Sequence, residues 1–200
     1  MTGGIATGKS HVLDRLRALR VPCLDADALA HGVTAPGTEA AEAIRERFGE
    51  GVVAADGSVD RQALGRIVFS DAAARRALEA LVHPAVWRGV EAGLRAFELL
   101  GDAAFAVVAI PLLYETGRAG DFEAVVATVC TEAQQVERLV ARGLTEGEAR
   151  QRLAAQLPAA EKAARADFVI DTSGSVEATD RQVGELLGKL RNWGTGELGN

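Results

Sequence analysis

Residues 3–10 read Gly3, Gly4, Ile5, Ala6, Thr7, Gly8, Lys9, Ser10, which satisfies G-x-x-x-x-G-K-[ST]. Each residue type in that spacing has a task. Glycines let successive backbone N–H groups curl around a phosphate, the lysine reaches the β- and γ-phosphates, and the serine hydroxyl is placed to ligate Mg²⁺. A helix opening near Lys9 points its positive N-terminus at the same anion. A chance match in a chain of this length has a probability on the order of 1%. Of the 22 basic residues only Lys9, Lys162 and Lys189 are lysine, and one of those three falls on the motif's lysine.

A second cluster follows. Val21-Pro22-Cys23-Leu24 is a short apolar run ending in Asp25-Ala26-Asp27. If the chain stays extended there, residues two apart share a face. In open α/β sheets ligands gather beyond the carboxyl ends of the strands. Asp25 and Asp27 then have two chemical uses, as partners of Mg²⁺ or as acceptors of a proton from an attacking hydroxyl. The alternative is that Asp27 caps the helix that begins at Ala28.

These groups need a scaffold. Short apolar segments at 21–25, 105–110, 124–130 and 168–171 read as strands separated by helical patterns, which implies a parallel α/β sheet. The long gap from residue 28 to 102 is helical in pattern, with breaks expected at Pro36-Gly37, at 48–57 and at His83-Pro84. It reads as a helical insertion. Thr131 to Gln134 and Thr145 to Glu148 fit capping boxes. The second opens an Arg-rich helix reaching Gln156, with few large apolar residues, as a movable lid would have. A closing helix is expected over 175–191 and a loose tail over 193–200. A phosphate loop joins a strand to a helix, yet only Met1 and Thr2 precede Gly3, so the first strand is expected to be missing and the natural chain to begin upstream.

Composition narrows the class. The 200 residues are 48% hydrophobic with a net charge of −6, which suits one globular domain and argues against a general nucleic-acid or anionic-membrane binder. Cys23 and Cys130 match no metal or redox spacing, and no signal or membrane-spanning segment is legible, so a reduced cytoplasmic setting is expected. The only asparagines are Asn192 and Asn200, so the N-K-x-D motif of GTPases is absent. No L-S-G-G-Q run of transporter ATPases is present either. A phosphate loop, a carboxylate pair, a helical insert and an arginine-bearing lid together point to a small-molecule kinase.

At this point the chain closely resembles the dephospho-CoA kinase family over nearly its whole length. That family reads T-G-G-I-G-S-G-K-S, I-D-A-D, P-G, F-G, D-G-x-L-D-R, V-F, H-P, I-P-L-L-x-E, Q-x-x-R-L-x-x-R, a lid ending in Q…K, and A-D-x-V-I-D-N-x-G. Here the counterparts stand at 2–10, 24–27, 36–37, 48–49, 56–61, 68–69, 83–84, 110–115, 135–142, Gln156 with Lys162, and 166–174. Ala6 and Thr7 replace Gly-Ser, His11 replaces Thr, and Thr172 replaces Asn.

The resemblance implies a nucleotide-kinase-like P-loop fold in a single domain over 1–192. Its core lies at about 1–27, 103–142 and 165–192, with a CoA-binding helical insertion at about 28–102 and a lid at about 143–164. It implies ATP-dependent phosphorylation of the ribose 3′-hydroxyl of 3′-dephospho-CoA, with Mg²⁺ accompanying ATP and no nucleic-acid, membrane or obligate protein partner. Carried over residue by residue, Asp27 acts as base or orients the hydroxyl, with Lys9 and Arg138 as its catalytic companions. The nucleotide is bound by residues 3–10 with His11 and Arg142, Arg138 and Arg142 approaching its phosphates as the lid closes. Asp27, His83, Pro111 and Leu112 bind the acceptor, and Ser10 with Asp25 holds the metal. Two other readings stay open: a small-molecule kinase for a nucleoside or sugar-like acceptor, and a nucleotide-binding protein without turnover.

Overall fold

A computed structural model of the chain describes residues 1–101 and 103–193. It forms two compact units, one of Met1–Cys23 with Gly101–Asn200 and one of Leu24–Leu100. The tail expected over 193–200 lies, from residue 194 on, outside the described residues.

The first unit is built on parallel strands. β1 (Thr2–Gly3) pairs with β4 (Val126–Val129), and β4 pairs with β5 (Phe168–Asp171) in the register Val126 to Phe168 through Val129 to Asp171. Met1 extends the ladder on the other side. Its nitrogen donates to the Val108 carbonyl (2.7 Å), and the Ile110 N–H donates to the Met1 carbonyl (2.9 Å). β3 (Val107–Ala109), buried throughout, is thereby joined to β1, and its Val107 N–H donates to the Pro22 carbonyl (2.9 Å), just ahead of β2 (Cys23–Asp25). The first strand is therefore present, contrary to the expectation from its length. Two residues suffice because β3 and β4 supply hydrogen bonds on both sides. The order places β1 where the chain's later strands diverge to either side, the switch point at which open α/β sheets bind ligands.

α1 (Lys9–Ala18) buries Val12, Leu13 and Leu16, one stripe of a 3.6-residue period, in a core shared with Val107, Val126 and Ile170. Val183, Leu186 and Leu187 of α9 (Val176–Trp193) complete that core. α1 closes with Val21 N–H on the Leu16 carbonyl and Arg20 N–H on that of Arg17, which leaves Arg20 at φ 62. That left-handed position ordinarily selects glycine.

Both expected capping boxes form. Thr131 starts α6 (Glu132–Val140) with Gln134, and Thr145 starts α7 (Glu146–Ala154) with Glu148. α7 ends two residues before Gln156 and buries only Ala149 fully. α8 (Ala159–Ala164) then packs on β1 and β4.

The second unit is helical: α2 (Ala26–Val33), α3 (Glu39–Phe48), α4 (Arg61–Ser70) and α5 (Ala72–Leu100). Its core gathers Ile44, Val52 and Leu64 with Phe48, Leu78 and Leu81. The breaks at Pro36-Gly37 and 48–57 are real, but the break expected at His83-Pro84 is not. Pro84 lies inside the 29-residue α5. The proline removes one hydrogen bond to Ala80, and both residues line an open cleft of about 430 Å³ with Val33, Thr38, Ala43 and Arg88. The true break falls at Asp71, whose carboxylate accepts from the N–H groups of Ala73 (2.7 Å) and Ala74 (3.1 Å).

Candidate active site

The phosphate loop is held from outside by its carbonyls. Four consecutive ones accept from side chains. The Gly4 carbonyl takes Thr7 Oγ1 (2.8 Å), Ile5 takes Gln135 Nε2 (2.6 Å), Ala6 takes Arg138 Nη1 (3.1 Å), and Thr7 takes Thr172 Oγ1 (2.9 Å). The Thr7 hydroxyl also meets that of Thr128 (2.7 Å) on β4.

With the carbonyls spent, the amides define what the loop can bind. Ile5 N–H donates to Gln156 Oε1 (3.1 Å) and Thr7 N–H to the Gly4 carbonyl (3.3 Å). Among the described residues, the N–H groups of Ala6, Gly8, Lys9 and Ser10 meet no protein acceptor. Gly8 begins α1 with no side-chain cap. Unsatisfied amides at a helix start, with Lys9 in its first turn, make a site for an anion with several oxygens.

Two glycines are fixed sterically. A Cβ at Gly3 would stand 2.1 Å from Thr128 Oγ1 and 2.6 Å from Thr7 Oγ1. Gly8 has φ 80, and a Cβ there would press on Thr172 at 3.1 Å. Ala6 takes φ 60 without being glycine. The residue is 9% exposed and packs with Val136, Leu139 and Ala149, so the departure at position 6 trades backbone ease for apolar contact.

Arg138, expected to approach phosphate, is committed to the loop's outer side. Besides Ala6, its guanidinium donates to the Thr172 carbonyl (2.7 Å) and Oγ1 (3.2 Å) and touches Cys130 Sγ (3.4 Å). Burial pushes the Cys130 thiol's pKa up. Asp171, next to Thr172, has its pKa lowered by hydrogen bonds from the Ser173 hydroxyl and N–H. Arg142 does not share a helix face with Arg138, because α6 stops at Val140; it is exposed in the following turn. His11 turns its ring toward α9, with Nε2 2.9 Å from Asp180 Oδ1. Ser10 is exposed in the first turn of α1.

Pro111 follows β3, and its carbonyl accepts from Thr2 Oγ1 (3.1 Å) and Lys162 Nζ (2.7 Å). Leu112 is half-buried and Leu113 fully buried. Lys162 is 0% exposed and also pairs with Glu115 Oε1 at 2.7 Å.

In the second unit the chain turns helical at Ala26, so Asp25 and Asp27 are not two positions of one strand face. Asp25 is the cap instead, its Oδ1 accepting from Asp27 N–H (2.9 Å). Asp27 sits exposed in the first turn of α2, and His83 is half-buried in mid-α5.

Sequence reasoning assigned no role to Gln135 or Thr128. Gln135 is only 4% exposed beside Val136 and Leu139, and a polar residue on a helix's apolar face was the available signal.

The comparisons with known proteins agree on one family. A family model described as dephospho-CoA kinase matches residues 1–178. A dephospho-CoA kinase of Anaeromyxobacter dehalogenans is 47% identical over 192 residues, covering 96% of this chain and 90% of that one. One of Leifsonia xyli is 43% identical, covering 96% and 97%. A crystal structure of a Thermus thermophilus protein superposes with a TM-score of 0.77 at 38% identity, covering 94% and 95%. A dephospho-CoA kinase from Campylobacter jejuni gives 0.69 at 25% identity, covering 94% of each chain.

Proposed function

Since the chain belongs to the dephospho-CoA kinase family, we propose a division of labour among its residues for the reaction that membership assigns: transfer of the γ-phosphoryl of ATP to the ribose 3′-hydroxyl of 3′-dephospho-CoA, giving CoA and ADP. The observation that carries this reading is the loop at residues 3–10, whose outer carbonyls are satisfied while the amides of Ala6, Gly8, Lys9 and Ser10 are not.

Those amides and the Lys9 ammonium receive the β- and γ-phosphates. Phosphoryl transfer asks the protein chiefly for positioning and neutralised charge, and this loop supplies both. Arg138 contributes by fixing the loop, and the exposed Arg142 is free to meet phosphate. His11 contributes through its main chain, its ring being turned to Asp180. Asp27 accepts the proton of the 3′-hydroxyl or orients it. Asp25 holds the Asp27 backbone through its cap.

Mg²⁺ fits the residues present as a companion of the nucleotide. Ser10 offers an exposed hydroxyl in the first turn of α1, and among the described residues no group of three His, Cys, Asp or Glu side chains could hold an ion alone. When bound, the ion neutralises phosphate charge.

The acceptor's remaining contacts are assigned to the helical insertion, about 28–102, with His83, and to Pro111 and Leu112 at the end of β3. The lid is assigned to about 143–164. No helix among the described residues is long and apolar enough to cross a membrane, and both cysteines are free thiols. A cytoplasmic location is part of the proposal, in keeping with the ATP that the proposed reaction consumes.

A coupled assay of ADP release tests the reading. ADP release with 3′-dephospho-CoA, and none with nucleoside monophosphates or sugars, supports it. Turnover with a nucleoside acceptor instead, or ATP binding without product, overturns it.

A further inference from the structure

The Ile5 peptide is gripped from two elements at once. Its carbonyl accepts from Gln135 Nε2 (2.6 Å) on α6, and its N–H donates to Gln156 Oε1 (3.1 Å) just beyond α7. Among the described residues, Ile5 is thus the one loop residue whose amide is held by a side chain from the segment assigned to the lid.

That segment is itself tied at its far end. Leu157 N–H donates to Glu115 Oε1 (3.0 Å), and the same oxygen takes Lys162 Nζ (2.7 Å), which also reaches the Pro111 carbonyl (2.7 Å). The Lys162 side chain is 0% exposed and that of Glu115 21%. A buried ammonium with two oxygen partners tolerates little displacement, since losing either would strand the charge. Between the two ties, Ala159 lies against Gly4, close enough that a Cβ there would sit 3.4 Å from its methyl. Ile5 and Leu153 pack on the cluster of Ala6, Val136, Leu139 and Ala149. Residues 156–162 therefore form a strap that is anchored on β3's exit loop and reaches the phosphate loop through the Gln156 carboxamide and the Ala159 methyl.

We propose that Gln156 is a positioning residue for the phosphate loop, holding the Ile5 peptide in the orientation that ATP requires and so coupling the strap to the nucleotide. This rests on the reading that residues 3–10 bind ATP. An unheld Ile5 amide would let the loop relax into other curls. ATP must then select the competent fraction, and its apparent affinity falls by that fraction. Ile5 is not among the residues assigned to the acceptor, so the acceptor's KM is not expected to follow.

The test uses the full chain with Gln156→Met, close in shape but without an acceptor, and Gln156→Glu, which keeps one. For Gln156→Met we expect KM for ATP to rise about 5- to 20-fold, the loss of one hydrogen bond to a loop amide. KM for dephospho-CoA should stay within about twofold, as expected for uniform loss of one ligand's binding. Hydrogen exchange at Ile5 in nucleotide-free protein should accelerate about 10-fold in Gln156→Met and remain slow in Gln156→Glu. A folded Gln156→Met with unchanged KM for ATP overturns the proposal, and so does a parallel rise in both KM values.

Should Gln156→Met not fold, exchange in the wild type with and without the β,γ-imido analogue of ATP decides. Protection gained at 156–162 together with 3–10 supports coupling, and protection confined to 3–10 refutes it. A wild type that turns over dephospho-CoA while the variants behave alike sinks Gln156 alone. A wild type without ATP-dependent turnover takes the underlying reading down as well.

Discussion

Replacing Arg138 by methionine separates two roles that its position in the chain allows. Methionine keeps the apolar stem and removes the guanidinium. In the structure that loss strips donors from the Ala6 carbonyl (3.1 Å), the Thr172 carbonyl (2.7 Å) and the Thr172 hydroxyl (3.2 Å). A hydrogen bond from a charged donor contributes about 1.5–3 kcal/mol, and the three share one group, so they do not sum. Arg138 is half-buried, so water replaces part of what is lost. The expected cost is about 2–4 kcal/mol of unfolding free energy, a large fraction of the ~5–15 kcal/mol typical of a domain. Urea denaturation followed by circular dichroism measures it, without nucleotide present. Calorimetry on the same variant should show ATP bound about 10- to 100-fold more weakly, because the loop must be rebuilt on binding. Arg138→Lys should recover less than half of either effect, since a single ammonium cannot span both carbonyls. A stability change below about 0.5 kcal/mol with a hundredfold loss of kcat would refute the reasoning, for it would mean that Arg138 acts on the transferred phosphoryl and that its loop bonds are dispensable.

Other expectations follow from single observations. Arg20→Gly should stabilise the protein by about 0.5–1 kcal/mol in urea unfolding, the relief of a left-handed backbone less the freedom glycine adds to the unfolded chain; a lower midpoint would contradict it. Ala6→Gly should gain nothing despite its similar φ, because the buried methyl it deletes is worth about 0.8 kcal/mol. Burial pushes the Cys23 thiol up to about 11 from the ordinary 9.0. At pH 8 it should therefore alkylate about 100-fold more slowly than an exposed cysteine and speed up tenfold per pH unit up to that value; a rate flat with pH would show the thiol already ionised. Asp27→Asn should leave ATP affinity within about threefold and lower kcat at least 100-fold, and near-normal turnover would remove it as the base.

How far the fold is legible in the sequence depends on what each element needs. The strands at 168–171 and 126–129 and the helices behind Thr131 and Thr145 announce themselves, because apolar runs and capping boxes are local signals. β1 is not legible. Two residues carry no pattern of their own and become a strand only because β3 and β4 offer hydrogen bonds on either side. Pro84 misleads for the complementary reason. Proline breaks a helix unless packing along its length outweighs one lost hydrogen bond, and Val86 and Val90 are buried in the turns that follow. The Asp25–Asp27 geometry fails on a single step, since the chain becomes helical at Ala26 and period-two reasoning ends one residue too late.

The phosphate loop divides along the same line. Its inner surface is written in the motif, because amides aimed at one anion demand fixed residue types at fixed spacing. Its outer surface is not, because a carbonyl accepts any donor of the right reach. A threonine, a glutamine, an arginine and a second threonine serve four successive carbonyls, from positions 7, 135, 138 and 172. Two departures from the family pattern, at positions 6 and 172, fall where the two surfaces meet. Thr172 in place of asparagine gives the Thr7 carbonyl a hydroxyl donor and in turn accepts from Arg138, so one exchange keeps both the loop and its arginine in place. Ala6 in place of glycine is tolerated because α6 and α7 supply a pocket for its methyl. The loop's curl is thus set less by its own glycines than by what surrounds it, which is why a change at position 138, 156 or 172 should be felt by ATP while the motif itself stays intact.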